Sequence, residues 1–146
     1  MLGPTVNRLL RTKLRRTPAR RWVVRWRHRH LSRADVVLAS YPRSGNTWLR
    51  FMLGQGITGA EQDFLSREQA VPFVGHQFPS TPRLPSGGSV LKTHEPYLPA
   101  YGRAIYVARD CRDVAVSYYY HQLKFGEFSG PLSLYLDKFL TGRVDG

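Results

Sequence analysis

Three short stretches of the chain carry side chains suited to binding and transferring an anionic group. The first, residues 40–47, sets the guanidinium of Arg43 and the hydroxyls of Ser44 and Thr47 around Gly45. These groups donate hydrogen bonds to anionic oxygens. Unpaired N–H groups and the positive end of the dipole at a helix start strengthen the same tendency. The stretch therefore predicts an anion site, with an ordinary surface turn as the alternative.

The second stretch places a cation, a hydroxyl and an imidazole side by side at Lys92, Thr93 and His94. A lone histidine is usually structural. A Lys-X-His triplet at a strand end indicates chemistry more strongly, because ligands of open α/β sheets bind at the carboxyl ends of the strands. The third stretch has Arg109 just before a predicted helix and Ser117 within that helix. It indicates a second cradle for a phosphate-like group, or else a cluster of weak surface ion pairs.

A short apolar run precedes each stretch, as expected if a buried strand positions each set of side chains. The predicted strands are residues 36–39, 89–91 and 104–108. The predicted helices are residues 47–53, 114–122 and 132–140. Gly54 and Gly56 are expected to end the first of these helices. The order of strands and helices predicts an α/β fold, with a P-loop-type parallel sheet and flanking helices.

Between the first helix and the second strand, residues 58–88 are rich in proline and predict a long loop with one short helix near residues 64–71. Long loops inside compact domains are usually lids or binding loops. This loop carries Phe64, Phe73, His76 and Phe78. These side chains either line a site for an organic substrate or cover the sheet.

The positive charge of the chain is concentrated near its N-terminus. Residues 1–34 hold 11 Lys and Arg and no acid, whereas residues 35–146 hold 11 Lys and Arg and 10 acids. The net charge of +12 is therefore +11 from the first segment and +1 from the second. We predict two regions: a flexible basic extension over residues 1–34, with a helix near residues 6–17, and a folded domain over residues 35–146.

Basic residues interspersed with Trp and Leu suit an anionic membrane or a nucleic acid, and a solvated extension is the alternative. The chain has one cysteine, Cys111, and no apolar run long enough to span a bilayer. It also has no acidic cluster that would hold a metal ion. These features predict a cytoplasmic protein, or one that lies peripherally at a membrane, with no bound metal.

Taken together, the three stretches resemble the sulfotransferase family, and the likeness covers about residues 35–142. Residues 41–48 (YPRSGNTW) resemble its loop for the 5′-phosphosulfate. Residues 92–96 (KTHEP) resemble its catalytic-histidine strand, and residues 106–119 resemble its 3′-phosphate strand and helix. The resemblance implies the cofactor 3′-phosphoadenosine 5′-phosphosulfate (PAPS). It also implies transfer of the sulfuryl group to a hydroxyl or amine on a small molecule or glycan.

The resemblance assigns roles residue by residue. It implies that His94 is the general base and that Lys92 and Arg43 stabilise charge on the transferred group or the leaving phosphate. Trp48 would stack on the adenine, and Arg109 would grip the 3′-phosphate. The residues implied to hold the cofactor are Arg43, Ser44, Gly45, Asn46, Thr47, Trp48, Arg109 and Ser117.

Two positions depart from the family pattern: Arg43 stands where a lysine is usual, and Asn46 where a threonine is frequent. Family members also extend beyond the matched region, so the chain is expected to be the N-terminal half of the domain, truncated at its C-terminus and of uncertain independent activity. Two other functions stay open. One is an ATP-using P-loop phosphotransferase, although the Gly-Lys-Ser/Thr loop is missing. The other is a non-catalytic protein that binds a nucleotide or a polyanion.

Overall fold

The computed structural model describes residues 18–144. Within them, the helices and strands follow one another in the order α1 (Pro18–Arg27), β1 (Val36–Ser40), α2 (Asn46–Thr58), α3 (Phe64–Ala70), β2 (Val90–Thr93), β3 (Arg103–Val107), α4 (Cys111–Lys124) and α5 (Leu132–Leu140). The helix predicted at residues 6–17 lies outside the described part of the chain. The helix α1 was not predicted from the sequence.

The chain divides into two compact units. Residues 28–114 form one unit and contain the three strands with α2 and α3. The other unit includes the described residues 18–27 and 115–144, which hold α1, most of α4, and α5. The prediction of a basic extension followed by one domain stays a prediction.

The strands form a parallel sheet in the order β2-β1-β3. Strand β1 lies in the centre, and its apolar run is buried from Val37 onward, as is typical of a central parallel strand. In register, Ala39 of β1 lies opposite Thr93 of β2 and Tyr106 of β3. The carboxyl ends of the three strands therefore lie side by side, which confirms the predicted α/β fold with a parallel sheet.

Helix α2 packs one face of its apolar residues against the sheet. Leu49, Leu53 and Ile57 recur every four residues and contact the core cluster of Leu38, Ala70, Val71 and Val90. Trp48 belongs to the same apolar run but is 78% exposed. Some apolar residues of this helix therefore pack in the core, whereas Trp48 lies at the surface near the start of the helix.

The predicted end of α2 is wrong. The helix continues through Gly54 and Gly56 and stops at Gly59, whose φ of 68° is left-handed and whose N–H bonds the carbonyl of Gln55 at 2.8 Å. Gly54 serves close packing instead, because a Cβ there would lie 3.0 Å from Oε1 of Gln62. The short helix α3 is confirmed, and it starts at a reciprocal cap in which the N–H of Ser66 bonds the Asp63 carboxylate at 2.7 Å.

The amino ends of β1 and β2 are tied together by a buried carboxylate. Asp35 accepts the N–H of Ser89 at 2.8 Å and the N–H of Ser32 at 2.7 Å. The backbones approach so closely that a Cβ on Gly88 would lie 2.0 Å from the carbonyl oxygen of Ala34. These contacts fix the register of the two strands whose far ends carry the predicted chemistry.

The two outer strands have different edges. Strand β2 is covered, because Lys92 donates its N–H to Pro72 at 2.7 Å and accepts the N–H of Val74 at 2.9 Å. Strand β3 pairs with β1 alone among the described residues, and its first four residues are exposed. An open edge of this kind is a template for pairing with another strand. Among the described residues, one edge of the sheet is therefore uncovered at β3.

Candidate active site

The loop from Tyr41 to Gly45 joins the carboxyl end of β1 to the start of α2. Two of its residues are left-handed: Arg43 with φ 71° and Gly45 with φ 96°. A left-handed arginine is strained by roughly 1–2 kcal/mol, and such strain collects at ligand-binding turns. Backbone concavities of this type present N–H groups to anions. The loop therefore has the shape that the sequence predicted for an anion site.

The start of α2 offers unoccupied donors. Gly45 makes no side-chain cap, and the first turn of the helix contains no acidic residue. A Cβ built on Gly45 would meet no atom within 4 Å, so the space in front of the helix is open. Helix N-termini without a cap retain unpaired N–H groups and a positive dipole end. An anionic group fits this position by charge and by space.

Asn46 is buried directly behind the loop. Its Nδ2 donates to the hydroxyl of Ser40 at 3.0 Å. Its Oδ1 is buried and accepts no hydrogen bond in the structure. A buried acceptor without a donor is unfavourable by about 1–3 kcal/mol, which indicates a place for a further donor.

His94 follows β2 and reaches across to the last residue of β1. Its Nδ1 lies 2.8 Å from the carbonyl oxygen of Ser40 and 3.4 Å from the Ser40 hydroxyl. Because a carbonyl only accepts, Nδ1 carries the proton and Nε2 of the neutral ring is an acceptor. Desolvation lowers the pKa of His94, although its bond to Ser40 acts in the opposite direction. The ring is thus a neutral base at pH 7, with Nε2 able to accept a proton.

Lys92 is 8% exposed, and its Nζ lies 4.1 Å from the centre of the Phe73 ring. Desolvation, followed by the positive charge of Arg50, lowers its pKa from 10.5 to about 8. Lys92 therefore exchanges its proton close to physiological pH. It lies two residues from His94 and adds charge that can be switched by pH.

Arg109 lies at the loop between β1 and α2. Its Nη1 is 3.4 Å from the carbonyl oxygen of Arg43, and its Nε is 3.5 Å from the Asp113 carboxylate. The third predicted stretch is thereby brought to the first. Ser117 lies in the other compact unit, so its grouping with Arg109 stays a prediction. At the start of α4, Asp110 accepts the N–H of Arg112 at 2.9 Å.

Sequence reasoning missed Ser40, Phe73 and Arg50. Ser40 is found only when the parallel register is known, because that register places the end of β1 beside the residue after β2. Phe73 was predicted either to line a substrate site or to cover the sheet, and its pairing with Lys92 across a β-bridge was not foreseen. No local signal identifies Arg50, since its partners are distant in sequence.

A cleft of about 310 Å³ lies at the opposite, amino ends of the strands. Its lining residues are His30, Ser32, Asp35, Gln77, Phe78, Thr81, Arg83 and Ser89. Asp35 is engaged there by two backbone N–H groups, and Ser89 donates its hydroxyl to Pro82. Asp35 and Ser89 thus serve the strand junction, and the predicted site residues lie at the opposite ends of the strands.

Within residues 18–144, no helix is long and apolar enough to cross a bilayer. The same residues contain no group of three His, Cys, Asp or Glu side chains placed to hold a metal ion.

The chain is an α/β domain in which an uncapped helix N-terminus and a neutral histidine lie at the carboxyl ends of the parallel strands. A family model described as the sulfotransferase domain matches residues 33–145. The chain belongs to the sulfotransferase family.

Relatives of the chain are named sulfotransferases. It is 34% identical over 131 residues to Sulfotransferase 1B1 of Canis lupus familiaris, covering 75% of this chain and 44% of the relative. It is 33% identical over 134 residues to Sulfotransferase 1 family member D1 of Rattus norvegicus, covering 75% and 43%. With Sulfotransferase 1A1 of Mus musculus the identity is 29% over 128 residues, covering 75% and 44%. The chain therefore spans less than half the length of these curated relatives.

Proposed function

We propose that the protein is a sulfotransferase that takes the sulfuryl group from PAPS to a hydroxyl or amine. The observation that carries the proposal is that His94 lies beside the loop that follows β1. Ser40 is the last residue of β1, and its carbonyl oxygen accepts a hydrogen bond from Nδ1 of His94. A base and an anion site are then adjacent. Family membership agrees with this assignment.

The residues present fit the phosphosulfate end of such a donor. The open space at Gly45 and the uncapped N-terminus of α2 suit an anionic group. Arg43 and Arg109 add positive charge at the same loop. In the proposal, Ser44, Gly45, Asn46 and Thr47 hold the 5′-phosphate, Trp48 stacks on the adenine, and Arg109 and Ser117 hold the 3′-phosphate.

PAPS, when bound, supplies the sulfuryl group. His94 accepts the proton of the acceptor hydroxyl or amine at Nε2, and the resulting imidazolium is stabilised by the bond from Nδ1 to the Ser40 carbonyl. Lys92 and Arg43 stabilise the negative charge that develops around the transferred group. Positioning and electrostatics then account for the catalysis, as in phosphoryl transfer.

Binding of adenosine 3′,5′-bisphosphate to the purified chain tests the donor site by calorimetry, with AMP and ATP as comparison ligands. We expect metal-independent binding that requires the 3′-phosphate. Arg109→Ala should weaken it by about 10- to 100-fold, the range for loss of one charge-assisted contact. Binding of ATP in preference to the bisphosphate would instead support a phosphotransferase.

Arg112→Ala is the matched control. Arg112 lies on the same turn as Arg109 but is paired with Asp110 at 2.8 Å and is exposed. Its replacement should leave the affinity for the bisphosphate unchanged. If both variants lost the same affinity, the effect of Arg109→Ala would come from the lower net charge and not from a specific contact. Equal binding of AMP and the bisphosphate to folded protein would overturn the donor assignment.

We also propose that α1 attaches the protein peripherally to an anionic membrane. At 3.6 residues per turn, Trp22, Val23 and Trp26 lie on one side of the helix, and its four arginines lie on the other. The exposed fractions of Trp22 and Trp26 are 74% and 63%. An apolar face opposite arginines suits a lipid interface, whereas nucleic acid would engage the arginines and leave the tryptophans in water.

Sedimentation of the full chain with vesicles tests this attachment. Binding to phosphatidylcholine vesicles that contain phosphatidylserine should exceed binding to phosphatidylcholine alone. The double variant Trp22→Ala, Trp26→Ala should lower the partition coefficient at least about tenfold, because two buried aromatic side chains are lost. Trp48→Ala, at another exposed tryptophan, should leave it unchanged. Salt-sensitive binding to RNA that survives the double variant, without vesicle binding, would contradict the proposal.

A further inference from the structure

Arg50 is a charged side chain held inside the unit of residues 28–114, with an exposed fraction of 1%. Its Nε and Nη2 donate to the carbonyl oxygen of Val71 at 2.9 and 2.6 Å. Its Nη1 donates to the Glu68 carboxylate at 2.9 Å, and a second contact with that carboxylate is also 2.9 Å. A buried guanidinium satisfied in this way has one fixed position.

The segment that Arg50 binds at Val71 also pairs with β2, the strand that contains Lys92. Val71 is followed by Pro72, whose carbonyl accepts the N–H of Lys92, and Phe73 forms a parallel bridge with Lys92. The Phe73 ring lies 4.1 Å from the Nζ of Lys92 and 5.7 Å from the Cζ of Arg50. One aromatic ring is therefore shared by two cations, and it also meets the His94 ring edge-on at 6.3 Å.

We propose that Arg50 is a positioning residue for Lys92: it anchors the segment that seats Phe73 against the ammonium group and places a permanent positive charge behind it. Arg50 touches neither substrate nor cofactor in this assignment. It acts through Lys92 and Phe73, and it adjusts how readily the lysine gives up its proton.

The charges around Lys92 decide the direction of this effect. Arg50 on α2 and Arg67 on α3 lower its pKa, and Glu68 on α3 raises it. His94 and Glu95 follow it on the chain, and Lys92 in turn lowers the pKa of His94. Burial lowers the lysine pKa further, to about 8 in all. Arg50 is the strongest of the nearby charges in this set, and it is the one with a fixed position beside the shared ring.

The importance of Lys92 in sulfuryl transfer rests on the proposed function. Its titration does not, since it can be followed without donor or acceptor. The chain has four lysines, so NMR of the full chain labelled with ¹³C-lysine can follow each side chain as the pH is raised, with Lys92→Arg to assign the signal. Failure of the titration and failure of the bisphosphate binding are therefore separate results.

Arg50→Met should raise the Lys92 pKa by about one unit, because a nearby like charge is removed. Arg50→Lys retains the charge and should keep the pKa near 8. Glu68→Gln removes the one attractive charge of the set and should move the pKa further down. The shifts of opposite sign cannot come from a general loosening of the fold, which would raise the pKa in both cases.

Arg67→Met is the matched control. Arg67 is also buried and also bonds Glu68, at 2.6 Å, but its guanidinium lies over Phe51 and Phe64 at 4.9 Å from each ring centre. Its replacement should move the Lys92 pKa less than that of Arg50. An unmoved Lys92 signal in folded Arg50→Met protein would overturn the inference. If Arg50→Met does not fold, an upward or absent shift in Glu68→Gln would overturn it equally.

Discussion

Replacement of His94 by alanine should lower the rate of sulfuryl transfer by about 10²- to 10⁴-fold, the usual contribution of a positioned general base. The structure holds Nδ1 of this ring on the Ser40 carbonyl at 2.8 Å, so Nε2 is the proton acceptor. Without the imidazole, the acceptor hydroxyl must lose its proton to water. Steady-state rates with PAPS and an acceptor that carries a hydroxyl or amine measure the loss.

The affinity for adenosine 3′,5′-bisphosphate should be unchanged in His94→Ala, because the base acts on the acceptor. His30→Ala is the control, since His30 is an exposed histidine at the cleft beside the amino ends of the strands, and it should retain the full rate. A His94→Ala protein that is folded, binds the bisphosphate and keeps its rate would remove His94 from the mechanism.

The second large effect concerns Lys92. We expect Lys92→Met to lower the rate by about 10²- to 10³-fold, as when one preorganised donor to a developing charge is lost. In the unsubstituted protein the pKa of Lys92 is about 8, so the rate should fall about tenfold per pH unit above that value. At the acid end the rate should rise as His94 loses its proton, at a pH below its ordinary value of 6.5 because its pKa is lowered.

Lys92→Arg separates the two limbs of this profile. A guanidinium keeps its proton throughout the accessible range, so the alkaline fall should disappear while the acid limb remains. The measurement is kcat/KM from pH 5 to 10. An alkaline limb that persists in Lys92→Arg would assign it to another group.

Stability should move in the opposite direction to activity over the same range. The pKa of Lys92 is about 8 in the folded protein, against its ordinary value of 10.5. Between these values the unfolded chain binds more protons, so the free energy of unfolding rises with pH. Urea denaturation across this range distinguishes loss of the catalytic charge from loss of the fold, because only unfolding would make both quantities fall together.

Much of the fold could be predicted from short stretches of the sequence. The apolar run at the start of β1, the turn after it and the charged turn after β3 each have their own signature, and the structure confirms the strands they predict. Helix ends were less readable. Gly54 and Gly56 were predicted to end the helix, but the left-handed residue at its end is Gly59. Gly54 lies inside the helix because only a small residue fits beside Gln62.

The family, the parallel α/β sheet and the candidate site residues Arg43, Lys92 and His94 could be predicted from sequence, because each signal lies within a few consecutive residues. The behaviour of these side chains depends on contacts that form in the folded chain. The bond from His94 to Ser40 spans 54 residues, and that from Arg50 to Val71 spans 21. Contacts at such separations leave no local pattern, so the tautomer of the base and the charge of Lys92 follow from the folded chain alone.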